Sequence, residues 1–182
     1  MEKRGIPNWL QWVLVFVIAI CASLLIRRYV VEFYEVPSGS MLQTIQQGDH
    51  LIGSKVSLWS NDPQVGQIVT FNDIKGTGDT LIKRIIAGPG QTVDIKDNAV
   101  WVDGKKLDEP YTSGTPTLPL RDTWVAGGIT YPLTIPEGQV WVMGDNRTDS
   151  LDSRYFGPIP LSSITSEAIW IYWPPNRWGA LK

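Results

Sequence analysis

Residues 80–102 read TLIKRIIAGPGQTVDIKDNAVWV, and they are the clearest indication of the chain's architecture. Three short runs of mainly branched and aromatic residues are separated by Gly-Pro-Gly at 88–90 and by Asp97-Asn98. Short runs of this kind, bounded by turn residues, are typical of β-strands. Asp97-Asn98 predicts a tight hairpin turn, and Asp103-Gly104 predicts a second hairpin directly after it.

The same pattern recurs on both sides of this stretch. Further short runs of the same kind are LIGSKV at 51–56, QIVTF at 67–71, QVWVM at 139–143 and AIWIYW at 168–173. Many short strands with turn residues between them predict an all-β domain of coiled antiparallel sheets over residues 27–182. Residues 105–138, rich in Thr, Pro and Gly, predict a small loop-rich insertion in that domain.

The N-terminal region has a different character. Residues 9–26, WLQWVLVFVIAICASLLI, carry no charge, and a pair of basic residues lies on each side. A helix of that length reaches about 27 Å, close to the thickness of a bilayer's hydrocarbon core. We therefore predict one transmembrane helix at 9–26 preceded by a short cytoplasmic tail at 1–8. A cleaved signal peptide fits less well, because the run is long and no small-x-small site follows it.

Composition excludes several classes of function. The chain of 182 residues has 16 Lys and Arg against 18 Asp and Glu, so no basic surface for nucleic acid is expected. It has a single His, His50, and a single Cys, Cys21. This scarcity argues against a metal site built from Cys and His and against an intramolecular disulfide, and we predict no metal and no cofactor.

Three segments could carry chemistry. Residues 36–41, VPSGSM, place two hydroxyls around a Gly, which suits a tight turn that presents a Ser, although such residues are most often merely turn residues. Lys83 lies inside an apolar strand, where desolvation would lower the pKa of its amine and make it a usable base, unless the strand is an exposed sheet edge. Residues 144–157 are dense in hydroxyls and carboxylates that could orient a catalytic side chain or simply form a solvated turn.

Together the three segments resemble the bacterial type I signal peptidases, membrane-anchored serine proteases that use a Ser-Lys dyad. The resemblance extends from the N-terminal apolar run to the closing FGPIP and IWIYWPP, and its most specific pattern is GDNRxxSxDSR at 144–154. It implies an endopeptidase that removes N-terminal signal peptides from exported preproteins after small-x-small sites. It also implies a single-pass membrane protein, monomeric, with its catalytic domain on the non-cytoplasmic side of a plasma or thylakoid membrane.

The resemblance also assigns roles to residues. Ser40 is the expected nucleophile and Lys83 the general base. The hydroxyl of Ser38 and the backbone N–H of Ser40 are expected to form an oxyanion hole, and Ser150 to orient the Lys amine. The remaining expected site residues are a supporting network of Asp145, Asp152 and Arg154, and substrate-pocket residues Val36, Met41, Ile45 and Leu81.

The chain departs from the family pattern at two places. Gln43-Thr44-Ile45 replaces Pro-Thr-Leu after the nucleophile, so the stiffening Pro is missing. After the Lys strand, Ala87 and Gln91 occupy positions where the family has Gly and Asp. We expect both changes to affect local turn geometry more than the reaction class.

Two other functions are compatible with the sequence. His50 could serve Ser40 as the base of a conventional triad, although another base already lies in a matching motif. Alternatively, the chain could be a membrane-tethered β-domain that binds peptides or glycans through some of its nine Trp residues, with weak or lost protease activity. Among these, Trp59 is the best candidate for membrane contact, and Trp101 and Trp170 are expected to pack in the core.

Overall fold

The computed structural model describes residues 7–60, 62–74, 78–120 and 123–181. Its first element is helix α1, Asn8–Tyr29. At 1.5 Å per residue α1 is about 33 Å long, and none of its residues is buried. It is longer than the predicted span at 9–26, and it is long and apolar enough to cross a membrane. Residues 1–6 of the predicted cytoplasmic tail lie outside the described residues.

The rest of the described chain is mostly antiparallel β-structure. The strands are β1 (Val31–Glu35), β2 (His50–Ser54), β3 (Ile68–Asn72), β4 (Thr80–Ala87), β5 (Thr92–Lys96), β6 (Ala99–Val102), β7 (Lys105–Lys106), β8 (Leu133–Thr134), β9 (Gln139–Met143), β10 (Ile159–Pro160), β11 (Ile164–Trp173) and β12 (Gly179–Ala180). Two short helices, α2 (Ser57–Ser60) and α3 (Ser153–Phe156), and three 3-10 turns at Pro110–Thr112, Leu161–Ser163 and Pro175–Arg177 complete the elements.

The strands form two sheets. The larger has the order β1-β2-β11-β3-β4-β9-β10, with β12 paired to β11, and the smaller has the order β7-β6-β5-β8. The predicted all-β class is therefore confirmed, and all seven runs quoted above contain strands. The loop-rich region predicted at 105–138 contains β7 and β8, and these two strands are the outer strands of the smaller sheet.

The two predicted hairpin turns are present. Asp97 and Asn98 both have positive φ, 52° and 59°, as do Asp103 and Gly104, 51° and 75°. Positive φ at both central residues is the geometry of the hairpin turn whose twist matches that of its strands. The sequence analysis did not predict β1, which follows α1 directly and pairs with β2 from Val31–Ser54 to Glu35–His50.

Three apolar clusters fix the position of the segments that carry the candidate site. One lies where β3, β4 and β9 meet α3 and includes Phe71, Ile85 and Phe156. A second joins β4 and β9 to the smaller sheet. The third packs the residues after β1, including Met41 and Ile45, against β2 and β11. The segment that carries Ser40 is thereby fixed by burial on both of its flanks.

The Trp residues only partly match their predicted places. Trp170 was expected in the core, and that prediction is wrong, because its side chain is 42% exposed. β-bulges in the pairing of β11 with β2 lie on both sides of Trp170. On its other edge, this part of β11 pairs only with the two-residue strand β12. Trp101 is half-buried beneath the Lys96 ammonium, 4.8 Å above its ring. Trp59, at the end of the described LWS segment, is exposed as the membrane prediction requires.

Candidate active site

A turn after β1 presents Ser40. Val36 follows the strand and makes two backbone hydrogen bonds. Its N–H donates to the Asp49 carbonyl at 3.0 Å, and the Val36 carbonyl accepts from the Gly48 N–H at 2.9 Å. Beyond Ser40, Met41 and Ile45 are fully buried, and the Ile45 N–H donates to the Met41 carbonyl at 2.8 Å. Ser40 itself is half-buried, so apolar anchors hold the turn while its hydroxyl stays accessible.

Lys83 reaches Ser40 from β4. Its Nζ lies 2.8 Å from Ser40 Oγ and 2.9 Å from the Ile82 carbonyl oxygen, and the side chain is 3% exposed. Although β9 pairs with β4 only from Arg84 onward, Lys83 is buried, so the alternative of an exposed edge-strand Lys is wrong. The structure thus brings the two predicted dyad residues into direct contact across 43 residues of sequence.

Burial lowers the pKa of Lys83 from 10.5 to about 8, against the smaller opposing effects of the Asp152 and Asp145 carboxylates. At pH 7 a pKa of 8 leaves about 10% of the amine neutral, compared with about 0.03% for an ordinary Lys. Lys83 makes no salt bridge within the described residues, although two carboxylates influence it. The amine is therefore a base of useful strength near neutral pH.

The two carboxylates that act on the pKa of Lys83 are each held by an arginine. Arg84 donates to both oxygens of Asp145, at 2.9 and 2.7 Å. Arg154 donates in the same forked manner to Asp152, at 2.9 Å to each oxygen. All four side chains are almost fully buried. The predicted supporting network is thus assembled beside the dyad, with Arg84 as a member that the sequence analysis missed.

Asn146 clamps the nucleophile turn. Its side-chain amide donates to the Gly39 carbonyl at 3.0 Å, and its backbone N–H donates to the Ser40 carbonyl at 3.1 Å. Thr44 adds a 2.5 Å hydrogen bond from its hydroxyl to Asp145. Asn146 belongs to the GDNR pattern, but its role was not predicted, because local sequence does not reveal which distant carbonyls an amide will bind.

Gly144 lies in close contact with both catalytic segments. A Cβ placed on it would lie within 3.0 Å of the Ser150 side chain and of the Ser40 carbonyl oxygen, so a larger residue has no room there. Ser150 Oγ is buried and has no hydrogen-bond partner within the described residues. The expected bond from Ser150 to the Lys83 amine is therefore absent from this structure, and its orienting role stays a prediction.

The two groups predicted to form the oxyanion hole are the Ser38 hydroxyl and the Ser40 N–H. Ser38 is exposed and, like Ser40, lines the cavity described below. Within the described residues, neither the Ser38 hydroxyl nor the Ser40 N–H donates a hydrogen bond to protein. Both donors are available to a ligand in the cavity.

A cavity of about 490 Å³ opens beside the dyad. The four predicted pocket residues, Val36, Met41, Ile45 and Leu81, all line it. The other lining residues are Tyr34, Glu35, Pro37, Ser38, Ser40, Asp79, Thr80, Ile82 and Lys83. Its walls are therefore the chain leading into Ser40 on one side and the chain leading into Lys83 on the other.

The loop-rich region is tied to the site by contacts that the sequence analysis missed. Arg147 donates to both oxygens of Glu109, at 3.0 and 2.6 Å, and to the Gly144 carbonyl at 3.0 Å. The Tyr111 ring lies between two guanidinium groups, 4.1 Å from that of Arg84 and 5.9 Å from that of Arg147. These contacts join residues far apart in sequence, so no local pattern could have revealed them.

The two departures from the family pattern have structural counterparts. Gln43 has φ 87°, a left-handed backbone that Pro cannot adopt, so the turn after Ser40 differs from one built with Pro. Gln91 accepts a hydrogen bond from the Gly88 N–H at 2.9 Å and donates to Asp103 at 3.0 Å. Its amide therefore closes the turn through an acceptor oxygen such as Asp would supply.

His50 is not part of the cavity wall. It lies in β2, where its ring packs edge-on against Tyr172 at 5.7 Å, and its Nδ1 is 3.5 Å from the Tyr172 hydroxyl. The base in contact with Ser40 is Lys83, which does not support a His50 triad. Among the described residues, no group of three or more His, Cys, Asp or Glu side chains could hold a metal ion.

Comparison with known proteins gives a consistent result. The family described as "Signal peptidase, peptidase S26" matches residues 9–173. "Probable signal peptidase I-1" from Synechocystis sp. is 37% identical over 100% of this chain and 93% of its own length. "Signal peptidase I T" from Bacillus subtilis is 34% identical over 96% of this chain and 91% of its own length.

A plant relative and a solved structure also match. "Thylakoidal processing peptidase 1, chloroplastic" from Arabidopsis thaliana is 30% identical over 87% of this chain and 47% of its own length. The crystal structure of a signal peptidase I from Enterococcus faecalis is 32% identical, with a TM-score of 0.47, and the match covers 59% of this chain and 97% of that one.

Proposed function

The chain belongs to the signal peptidase family, peptidase S26, and from that premise we propose that Ser40 and Lys83 are the nucleophile and the general base with which it removes signal peptides. The observation that carries the proposal is the 2.8 Å contact between Lys83 Nζ and Ser40 Oγ. A serine endopeptidase needs a base within hydrogen-bond reach of its nucleophile, and Lys83 has both the position and a lowered pKa.

The reaction follows serine-protease logic with Lys in place of His. Neutral Lys83 takes the proton of Ser40 Oγ, which attacks the scissile carbonyl carbon and moves its electron pair onto the oxygen. The Ser38 hydroxyl and the Ser40 N–H donate to that oxyanion. The Lys83 ammonium then protonates the leaving amine, and the acyl-enzyme forms. Water, deprotonated by Lys83, then attacks the acyl carbon, the bond to Ser40 Oγ breaks, and the Lys83 ammonium returns the proton to Ser40 Oγ.

The cavity suits an extended peptide with small side chains. β9 pairs with β4 only from Arg84 onward, and β1 is the outermost strand of its sheet. The strand segments on both sides of the cavity therefore have unpaired edges to which a substrate strand could add. The apolar side chains of Val36, Met41 and Leu81 leave space for small residues at the first and third positions before the cut.

The membrane helix brings this site to its substrate. α1 ends at Tyr29, eleven residues before Ser40, and an extended chain of that length spans at most about 40 Å. Signal peptides emerge at the surface of the membrane that they cross, so the site is held within their reach. We place the catalytic domain on the non-cytoplasmic side, of either a plasma membrane or a thylakoid membrane, where exported preproteins are processed.

Exposed aromatic residues support contact between the catalytic domain and lipid. The side chains of Trp59, Trp173 and Trp178 are all more than half exposed. Amphipathic Trp side chains favour the membrane interface. The alternative function, a β-domain that only binds peptides, is not favoured, because the dyad is assembled and the relatives that match over their full length are named as peptidases.

The decisive experiment is cleavage of a preprotein with Ala at both small positions by the full-length chain in detergent. We expect Ser40→Ala and Lys83→Met each to abolish cleavage. His50→Ala should cleave normally, as should Lys106→Met, a matched control that removes an exposed Lys. A preprotein with a bulky residue at either small position should resist cleavage. If the Ser40 and Lys83 variants cleave as fast as the unaltered chain, the assignment of the dyad is wrong.

A further inference from the structure

A second cavity lies where α1 joins the catalytic domain, away from the dyad. Its volume is about 310 Å³, and Leu24, Arg27, Arg28, Glu32, Phe33 and Lys55 line it. Two of its cations come from the last turns of α1 and the third from the chain that follows β2. Three cations against one carboxylate give this junction cavity a net positive charge.

We propose that the junction cavity binds the phosphate of an anionic phospholipid. The proposal goes beyond the proteolytic function and rests only on the membrane anchoring of α1. Arg27 lies 19 residues after Asn8, about 29 Å along the helix, which is close to the thickness of the hydrocarbon core. Its guanidinium is therefore at the depth of the lipid phosphates when α1 crosses the bilayer.

The charges in the cavity are available for a ligand. Among the described residues, the guanidinium of Arg27 makes no hydrogen bond or ion pair, and that of Arg28 has only a contact with the ring of its neighbour Tyr29, at 6.0 Å. Glu32 pairs with Lys55 at 3.0 Å and neutralises one of the three cations. The two arginines remain to bind a phosphate, and guanidinium groups bind that group in forked geometry.

The end of a helix normally disfavours an anion, because its last carbonyls carry partial negative charge. Here Lys55 Nζ lies 3.5 Å from the Arg28 carbonyl oxygen and offsets that charge. Leu24, one turn earlier on α1, extends the cavity toward the hydrocarbon side, where an acyl chain would lie. A cationic end beside an apolar wall complements a lipid better than a free anion.

The test uses full-length chain in phosphatidylcholine nanodiscs that contain a trace of spin-labelled lipid. The readout is the ratio of motionally restricted phosphatidylglycerol to motionally restricted phosphatidylcholine. We expect a preference for phosphatidylglycerol that falls about fivefold for each arginine removed, and so nearly disappears in Arg27→Gln/Arg28→Gln. Lys105→Gln/Lys106→Gln removes two exposed cations from a distant strand and should keep the preference.

A charge-retaining variant and an activity assay guard against trivial outcomes. Arg27→Lys/Arg28→Lys should keep the preference, which shows that charge and not a disturbed junction is responsible. Preprotein cleavage in detergent should be normal in all variants, so an inactive unaltered chain would count against the proteolytic function and not against this site.

Three results would overturn the proposal. The first is an unaltered chain that holds both lipids equally. The second is a double variant, Arg27→Gln/Arg28→Gln, with undiminished preference. The third is loss of the preference in inorganic phosphate but not in chloride of equal ionic strength, because the site would then take free phosphate.

Discussion

Replacing Lys83 by Met should stabilise the protein near neutral pH while it abolishes cleavage. Lys83 is 3% exposed, and burial lowers its pKa from 10.5 to about 8. A shift of that size costs the folded state about 3 kcal/mol whenever the amine is protonated in both states, which is the case below pH 8. Met has a similar length and no charge to desolvate, so it removes the penalty.

The hydrogen bonds of Lys83 offset part of this gain. The bonds to the Ile82 carbonyl and to Ser40 Oγ are lost in the variant, and each contributes about 1 kcal/mol. The net stabilisation at pH 7 should therefore be about 1 kcal/mol. The pH dependence is the sharper quantity, because the lost hydrogen bonds affect it little.

Between pH 8 and 10.5 the unfolded chain binds a proton at Lys83 that the folded chain does not. The free energy of unfolding of the unaltered chain therefore gains a rising contribution across this window, and the variant lacks it. The stability of the variant relative to the unaltered chain should fall by about 3 kcal/mol from pH 7 to pH 10.5 and change sign on the way.

The assay is guanidinium unfolding of both proteins in nonionic detergent at several pH values, followed by Trp fluorescence and far-ultraviolet circular dichroism. Lys106→Met, at an exposed position, should show a difference near zero throughout. The cleavage rate of the unaltered chain should rise with pH and reach half its maximum near pH 8. A stability difference that does not change with pH would refute the argument that burial activates Lys83.

Two further predictions concern the nucleophile turn. Asn146→Ala removes the hydrogen bond to the Gly39 carbonyl, so kcat should fall at least tenfold with little change in KM, while the free energy of unfolding should fall by only about 1 kcal/mol. Steady-state kinetics with Asn146→Ala and the neighbouring exposed control Asp149→Ala would check this, and an unchanged kcat would contradict it. Gln43→Gly should raise the free energy of unfolding by about 1 kcal/mol because φ 87° is strained for Gln, whereas Gln43→Pro should lower it, and thermal melting of both variants would reveal the opposite signs.

The parts of the fold that sequence predicted are those that local chemistry determines. Asp97-Asn98 forces its hairpin because both residues tolerate positive φ, and no distant contact is needed. β1 was missed because VEFYE at 31–35 acquires its strand identity from pairing with β2, about 20 residues later. Trp170 was misplaced because alternation along β11 is interrupted by bulges, which local sequence does not reveal.

The candidate site divides in the same way. Motif resemblance was enough to name Ser40 and Lys83, and the structure joins them at 2.8 Å. The positions of Asn146 and Tyr111 depend on partners more than 25 residues away, so they could be found only in the folded chain. Ser150 shows the limit of resemblance, because its hydroxyl is close to Gly144 but makes none of the hydrogen bonds expected of it.

The buried charges around the dyad explain why Lys83 can be a base at all. Two carboxylates act on its pKa in the raising direction, yet burial has the larger effect. Each of these two carboxylates is bound at both oxygens by a guanidinium, which stays protonated at any working pH. The forked pairs are Arg84 with Asp145 and Arg154 with Asp152.

Lysines in those two places would be poorer partners. A Lys ammonium is a point charge that cannot bind both oxygens in fixed geometry, and when buried it can lose its proton. Each carboxylate would then be free to attract the proton of Lys83 and raise its pKa. The arginines therefore act on catalysis indirectly, because they keep the carboxylates occupied. Lys83 is then a buried cation without a salt-bridge partner among the described residues. It is hence the group that gives up its proton most readily.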